Sequence, residues 1–535
     1  MRDPRDSPRV RTPRIYRVCD GFTEGLVYAM VIFSPWAFGS TDPWANWVMN
    51  IASYLLGGLL LIKWLTRWRT GYRPSRWSDP SDLELAGGNN RPRPSWITAL
   101  MAVLTVLLLS YCLTSALNAR ATFYLEELRF DYHSYIPWLP HSYDRGASWF
   151  SFWSYLGLAC FFWSLRDWLL GKTRQERHAE REEGYEEYNS FSATPAMSSG
   201  GSLPPSTLRL PHSALRTPHF PIIPERLRRL LWVLCLNGAV LGLEAILQRL
   251  NGTNKLLWLI EPRWNKTADS QFGPYAYRSN AAQYFNLLWP VCLGFWWTLR
   301  RRAKEARRKV TRIGEGSHLI LLPCAIIITA CPIISISRGG AIVSLLAMLF
   351  AFPILIVAGR RGRWPIQLGV FMIFAATTGL AGYLGWEKLE KRLETIFTDF
   401  TDVMSGRGEI YTNVVQMAVE YPVLGTGPGS FASLYQLYKK PEQHWAGYVH
   451  DDWLETRITF GWVGFSLIVL LLLLILARWF GSRGIPAQWE LVALIWLAMA
   501  GCLAHAKVDF PFQIHSVVFL FTLLCCVLSC VSRRE

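Results

Sequence analysis

A dozen apolar runs recur along this chain, at roughly 21–39, 46–65, 96–117, 149–165, 230–247, 281–299, 319–336, 341–358, 366–384, 461–480, 491–502 with its continuation, and 517–531. A helix crossing the hydrocarbon core of a bilayer needs about twenty predominantly apolar residues. Buried core helices of a soluble protein reach such lengths singly, and not a dozen times in one chain. With 51% hydrophobic residues among 535, the expected fold class is all-α, a polytopic membrane protein with about twelve transmembrane helices.

The formal charge of +16 would suit a nucleic-acid binder, but its placement argues otherwise. Lysine and arginine cluster in alternate connections: 2–17, 63–76, 166–181 with 226–229, 300–312, 360–363, 478–483 and 533–534. Cation-rich loops stay on the cytoplasmic side of a membrane, so both termini are expected inside and the 384–456 loop outside. An even number of spans satisfies that pattern. The basic N-terminus followed by an apolar run has the outline of a signal peptide, but no small-residue cleavage site follows Ala37 to Ser40, so the run reads as an uncleaved first span. Of the eleven cysteines, ten fall inside apolar runs and Cys19 precedes the first. No CxxC occurs, and neither a disulfide framework nor a zinc site is indicated.

The expected organisation is a cytoplasmic tail over 1–20, spans one to nine over 21–384, a large partly helical periplasmic loop over 385–456 between spans nine and ten, and the last three spans over 457–535. Two cytoplasmic loops, near 69–94 and 171–224, are polar and rich in Pro, Gly or Ser, and read as disordered linkers. In the outer loop, Trp386, Leu389, Leu393, Ile396, Phe397 and Phe400 recur at helical spacing, with Lys388, Lys391 and Arg392 on other faces. That pattern predicts an amphipathic helix at the membrane surface. A second helix is expected over about 409–420, ending before Pro422. Gly425, Gly427 and Gly429 then mark a tight turn, and 430–439 a further short helix. A nucleotide-binding reading of these glycines is poor, because they follow a helix and lie outside.

The outer face gathers a set of polar residues. Arg338 precedes Gly339 and Gly340 at the short turn between the seventh and eighth runs. Arg278, Ser279 and Asn280 close the loop before the sixth, Arg407 and His450 come from the long loop, and Lys507 and Asp509 from the last outer loop. Several cations and a histidine at one membrane face suit an anionic substrate presented from the bilayer, because guanidinium groups grip phosphate oxygens bidentately and are costly near hydrocarbon unless paired. Blander readings stand beside this one. Arg338 could snorkel to headgroups, Arg278 and Arg407 could be solvated loop cations, and His450 a surface histidine. Asp451, Asp452 and Glu455 could be an acidic cluster favoured at a helix N-terminus. Glu244, within the fifth run, calls for a partner, with Gln248 and Arg249 one turn away. No metal-ligand spacing is present, and adjacent Asp451 and Asp452 are a weak signal for one.

In order and sidedness, these motifs resemble the O-antigen ligase and polymerase superfamily of bacterial envelope polysaccharide enzymes, from the fifth run onward. Leu243 to Gln248 with Phe272 to Asn280 is similar to the family's fifth-span end and following outer loop. Ser335 to Gly340 is similar to its Ser-Arg-Gly turn, Ser405 to Arg407 through Pro422–Phe431 to His450–Leu454 to its large periplasmic loop, and Lys507 to Pro511 to its last outer loop. Two positions depart from the pattern. Asp451 follows the histidine where the family usually has Asn, and Tyr411 stands where it often has Trp. A carboxylate at 451 would raise the histidine pKa.

The resemblance implies a glycosyltransferase of the bacterial inner membrane, acting in lipopolysaccharide biosynthesis. Its donor would be a glycan on undecaprenyl pyrophosphate, its acceptor a hydroxyl of a glycan, lipid or protein, and it would need no cofactor, metal or nucleic acid. It further implies catalytic roles for His450, as general base, and Arg338, with Arg278, Asn280, Arg407 and Asp452 binding substrate. A polymerase or a protein O-oligosaccharyltransferase of the same superfamily shares these motifs. A transporter or flippase of lipid-linked sugars would instead distribute charge through the spans, which this chain does not.

Overall fold

The computed structural model describes residues 12–77, 96–179, 223–308, 317–358, 400–443, 445–479, 485–486 and 489–532, with isolated positions between 372 and 379. It is built mainly of helices: α1 (Arg14–Trp36), α2 (Pro43–Thr70), α3 (Trp96–Leu117), α4 (Arg145–Leu169), α5 (Glu225–Asn251), α6 (Arg278–Arg308), α7 (Leu321–Ile334), α8 (Arg338–Ala358), α9 (Phe400–Glu420), α10 (Phe431–Tyr435), α11 (Asp452–Trp479), α12 (Trp489–His505) and α13 (His515–Cys530). A small antiparallel hairpin, Ala121–Tyr124 with Arg129–Tyr132, follows α3.

Five helices are long and apolar enough to cross a membrane, namely α2, α3, α5, α8 and α11, and the shorter apolar helices include α12 and α13. Eleven of the twelve apolar runs coincide with helices. The ninth, 366–384, falls almost wholly outside the described residues, as does the expected amphipathic helix over 386–400 short of its last residue. Cys19 lies within α1, which starts earlier than the apolar run suggested.

Helix α6 holds the centre. It packs on α7, α8 and α12, and every residue from 279 to 299 is buried. A helix enclosed all round by protein has no lipid-facing stripe to fill. It therefore tolerates Asn280, Gln283, Asn286 and Thr298 among its buried residues, which also dilute its apolarity.

The sequence reading of the two linkers needs correcting at their edges. Trp77 N–H donates to Leu170 O at 3.0 Å and Lys172 N–H to Ser75 O at 3.0 Å, so 71–77 and 171–173 are ordered and tied together. Beneath them, Lys63 is 1% exposed and sits 2.9 Å from Asp20 and 2.8 Å from Asp167. Arg67 reaches Asp167 at 2.7 Å, and Arg76 also pairs with it. A buried ammonium persists only when paired, and these acids on α1 and α4 supply the pairing. Residues 78–95 and 180–222 lie outside the described residues.

In the large loop, α9 begins at Phe400 rather than near Glu409, so Ser405 to Arg407 are helical. The glycine turn is as expected, with positive φ at Gly425, Gly427 and Gly429. Its anchor is not visible in the sequence. Helix α11 is interrupted at Gly461 (φ 58°, ψ −172°), which frees carbonyls for the turn: Thr426 N–H donates to Ile458 O and Gly427 N–H to Thr459 O, both at 2.9 Å. A Cβ at Gly461 would lie 2.2 Å from Val423 O, and only glycine fits there.

Candidate active site

Three connections and one loop meet at the end of the bundle where α6 and α8 begin and α12 ends. Ser337 caps α8, its Oγ accepting from Gly340 N–H at 3.2 Å, a standard use of serine at a helix start. The two glycines that follow are demanded by close approach. A Cβ on Gly339 would lie 2.7 Å from His505 Nε2, and one on Gly340 2.3 Å from the Cβ of Ala282. Asn286 Nδ2 donates to Gly340 O at 2.9 Å, locking α8 onto α6. The Ser-Arg-Gly-Gly sequence thus encodes a cap and two helix crossings around Arg338, which is half-buried at the first turn of α8.

Asp509, in the turn between α12 and α13, joins the parts. Its Oδ2 accepts from Ser279 Oγ, and Ser337 Oγ lies 3.3 Å from the same hydroxyl. Its Oδ1 lies 3.3 Å from His450 Nδ1 and accepts from Phe510 N–H at 3.1 Å. His505 Nε2 stands 3.9 Å from Oδ2. Burial alone would raise the Asp509 pKa, but the hydrogen bonds of His450 and Ser279 and the proximity of His505 outweigh it and hold the carboxyl below its ordinary value.

His450 has φ 59°, a left-handed conformation that costs a non-glycine residue about 1–3 kcal/mol and concentrates at functional sites. Its carbonyl accepts from Tyr411 OH at 3.2 Å, and its ring stands edge-on to Phe510 with centroids 4.8 Å apart. The side chain keeps 27% exposure. With Nδ1 toward Asp509, Nε2 is the nitrogen left for other chemistry.

The other residues singled out in the sequence take varied positions. Arg278 donates to Asp269 O at 2.5 Å. Asn280 is 4% exposed, and its Oδ1 has no hydrogen-bond partner among the described residues. Arg407 falls within α9, but its side chain lies outside the described residues. Asp452 is 1% exposed, and its carboxylate accepts from Phe512 N–H at 2.7 Å and Gln513 Nε2 at 3.2 Å. Asp451 does not face the histidine. Its Oδ1 caps α11 through Leu454 N–H at 3.1 Å and its Oδ2 pairs with Lys507 at 2.5 Å. The carboxylate beside His450 is Asp509. Glu244 has no hydrogen-bond partner among the described residues. Gln248 accepts instead from Leu257 N–H, and Arg249 holds the carbonyls of Ala268, Gln271 and Ser335. Ser279 and Ser337 lie inside motifs named from the sequence but were given no role there, and His505, four positions before Asp509, was not singled out.

Neither the curated proteins nor the solved structures contain a match to this chain. A family model described as O-antigen ligase matches residues 323–469. The stretch runs from α7 into α11, so it includes Arg338, Arg407, His450 and Asp452 and leaves out Arg278, Asn280 and Asp509. It is narrower than the resemblance carried by the motifs alone. Over residues 323–469, about a quarter of its length, this helical membrane protein is similar to the O-antigen ligase family.

Proposed function

We propose that the chain transfers a glycan from undecaprenyl pyrophosphate to an acceptor hydroxyl at the outer face of the bacterial inner membrane, as a ligase. The acceptor oxygen bonds to the anomeric carbon as the bond from that carbon to the pyrophosphate oxygen breaks. The acceptor's proton passes to His450 Nε2, and undecaprenyl pyrophosphate departs. Asp509, held by Ser279 and Phe510, keeps Nδ1 protonated and stabilises the imidazolium that forms. Such positioned proton transfer typically contributes about 10²–10⁴-fold. Arg338, Arg278 and Arg407 neutralise the pyrophosphate, where one well-placed donor is worth about 3–4 kcal/mol. Asn280 and Asp452 contact substrate in the same reading, Asn280 through its unpartnered buried oxygen. A polymerase or protein-glycosylating enzyme would use the same base and leaving group with a different acceptor.

The observation that carries the reading is the convergence of His450, Asp509, Ser279 and Ser337, which brings the family's separate motifs to one histidine. The test is a reconstituted transfer assay with lipid-linked glycan as donor. His450→Ala abolishes transfer while donor binding survives on the arginines, and near-wild-type transfer by this variant would falsify the general-base assignment. The outer location predicts that cysteines placed at Arg300 and at His450 label from opposite sides of the membrane. Labelling from one side removes the periplasmic reading.

A further inference from the structure

A second polar site lies far from His450. Helix α5 carries Arg226 and Arg229 near its start and Arg249 at its end. Twenty-three residues separate Arg226 from Arg249, so at 1.5 Å rise the two ends are about 35 Å apart. Around the start of α5, an open cavity of about 190 Å³ is lined by the first turns of α1, the 72–75 segment and the 171–177 segment. Arg17, Lys172, Arg174, Arg177, Arg226 and Arg229 line it, with Asp20 and Glu24 the acids among the described lining residues. Glu225 also reaches Arg229, at 3.6 Å, and the lining cations outnumber these acids.

Both acids are already engaged. Asp20 is gripped by Arg226 and Lys63, and Glu24 by Arg229 at 2.6 Å. Arg17 and Arg174 have no ion pair among the described residues. The walls are held in place independently of any ligand. Thr173 and Glu176 form a reciprocal helix-start box, with Thr173 N–H to Glu176 Oε2 at 2.6 Å and Glu176 N–H to Thr173 Oγ1 at 3.3 Å. The other oxygen of Glu176 accepts from Glu225 N–H at 2.7 Å, fastening the segment to α5. Arg226 Nη1 donates to Trp168 O at 2.6 Å. Cations gathered around one cavity repel one another unless an anion joins them, and guanidinium forks match phosphate oxygens. The space exceeds the ~150 Å³ cavity that accepts a benzene ring, so a phosphate group fits. Exposed Ile15 and Val18 flank Arg17 on the same turns of α1, which sets the cavity beside an apolar surface.

We infer that this cavity binds a phosphate-bearing anion, either the headgroup of an anionic lipid or a soluble phosphate. The full-length protein in neutral detergent is titrated with short-chain phosphatidylglycerol, with phosphatidylcholine and with inorganic phosphate, and binding is followed by thermal shift. The comparison variant is Arg17→Gln with Arg174→Gln, two exposed residues without ion pairs, whose replacement leaves the outer arginines untouched. Phosphatidylglycerol or phosphate binds the wild type and phosphatidylcholine does not. The double variant binds about 25-fold more weakly, the factor for two surface cations at about fivefold each. Response to phosphatidylglycerol alone assigns a lipid headgroup, and response to phosphate as well assigns a soluble anion. Absence of binding by both, an equal response to phosphatidylcholine, or undiminished binding by the double variant overturns the inference; the last would place the anion at the outer arginines instead.

Discussion

Replacing Asp509 by Asn separates the charge of the site from its geometry. Asp509 Oδ1 accepts from Phe510 N–H at 3.1 Å and faces His450 Nδ1 at 3.3 Å, while Oδ2 accepts from Ser279 Oγ. An asparagine amide can be inserted in two orientations. Placing its NH₂ at the Oδ1 position would set it against the Phe510 N–H, two donors meeting in a buried site. Placing NH₂ at the Oδ2 position meets a serine hydroxyl, which can turn and accept. The second orientation wins, so Asp509→Asn keeps an acceptor at Nδ1 and keeps the tautomer with Nε2 free. What is lost is the negative charge. A hydrogen bond to a charged group contributes about 1.5–3 kcal/mol against about 0.5–1.5 kcal/mol for a neutral one. The loss of about 1–1.5 kcal/mol in stabilising the imidazolium lowers kcat about tenfold. A wrong tautomer in a comparable triad costs about 10⁴-fold, so the two outcomes are well separated. The assay is single-turnover transfer from the lipid-linked donor, with Asp509→Ala as the control that removes charge and acceptor together. A loss of 10³-fold or more in Asp509→Asn, within the range where proton-transfer catalysis of about 10²–10⁴-fold is lost outright, would refute the orientation argument. Unchanged kcat would refute the role of the charge.

Gly340→Ala sets a new Cβ 2.3 Å from that of Ala282, neither of which can rotate away, so the α6–α8 crossing must widen. Overpacking of this kind costs about 1–3 kcal/mol, read as a lowered denaturation midpoint in detergent, and an unchanged midpoint would show the crossing is not rigid. Asp451→Asn keeps the cap on Leu454 N–H, since asparagine serves as well there, and removes only the pair to Lys507, which is 67% exposed and of small value. Because Asp509 and not Asp451 faces His450, the pH dependence of transfer in Asp451→Asn stays where it is in the wild type. A displacement to lower pH would return Asp451 to the role the sequence suggested.

Much of the frame was legible because it is written locally. Each helix from α1 to α8, and α11 to α13, lies under an apolar run, and a run of that length is sufficient to specify a helix wherever its neighbours are. Ser279, His450 and Asp509 each stand in a short motif that can be read in the sequence, but their connections cannot. His450 is adjacent to Asp451 in the chain, and the eye pairs them. In space the ring turns away, because Asp451 faces the first turn of α11 as its cap and the left-handed backbone at 450 points the imidazole toward residue 509, fifty-nine positions on. Gly461 was invisible for the opposite reason. The cluster at 425, 427 and 429 announces a turn, whereas one glycine in an apolar run looks like any small residue until the carbonyl of Val423 is seen beside it. Asp452 shows how the two kinds of information combine. Its place after the loop histidine suggested a substrate contact, yet its carboxylate holds the backbone of Phe512 and the side chain of Gln513, three and four residues beyond Asp509. Under the proposed transfer, Asp452 is therefore a positioning residue, acting through the turn that aims Asp509 at His450.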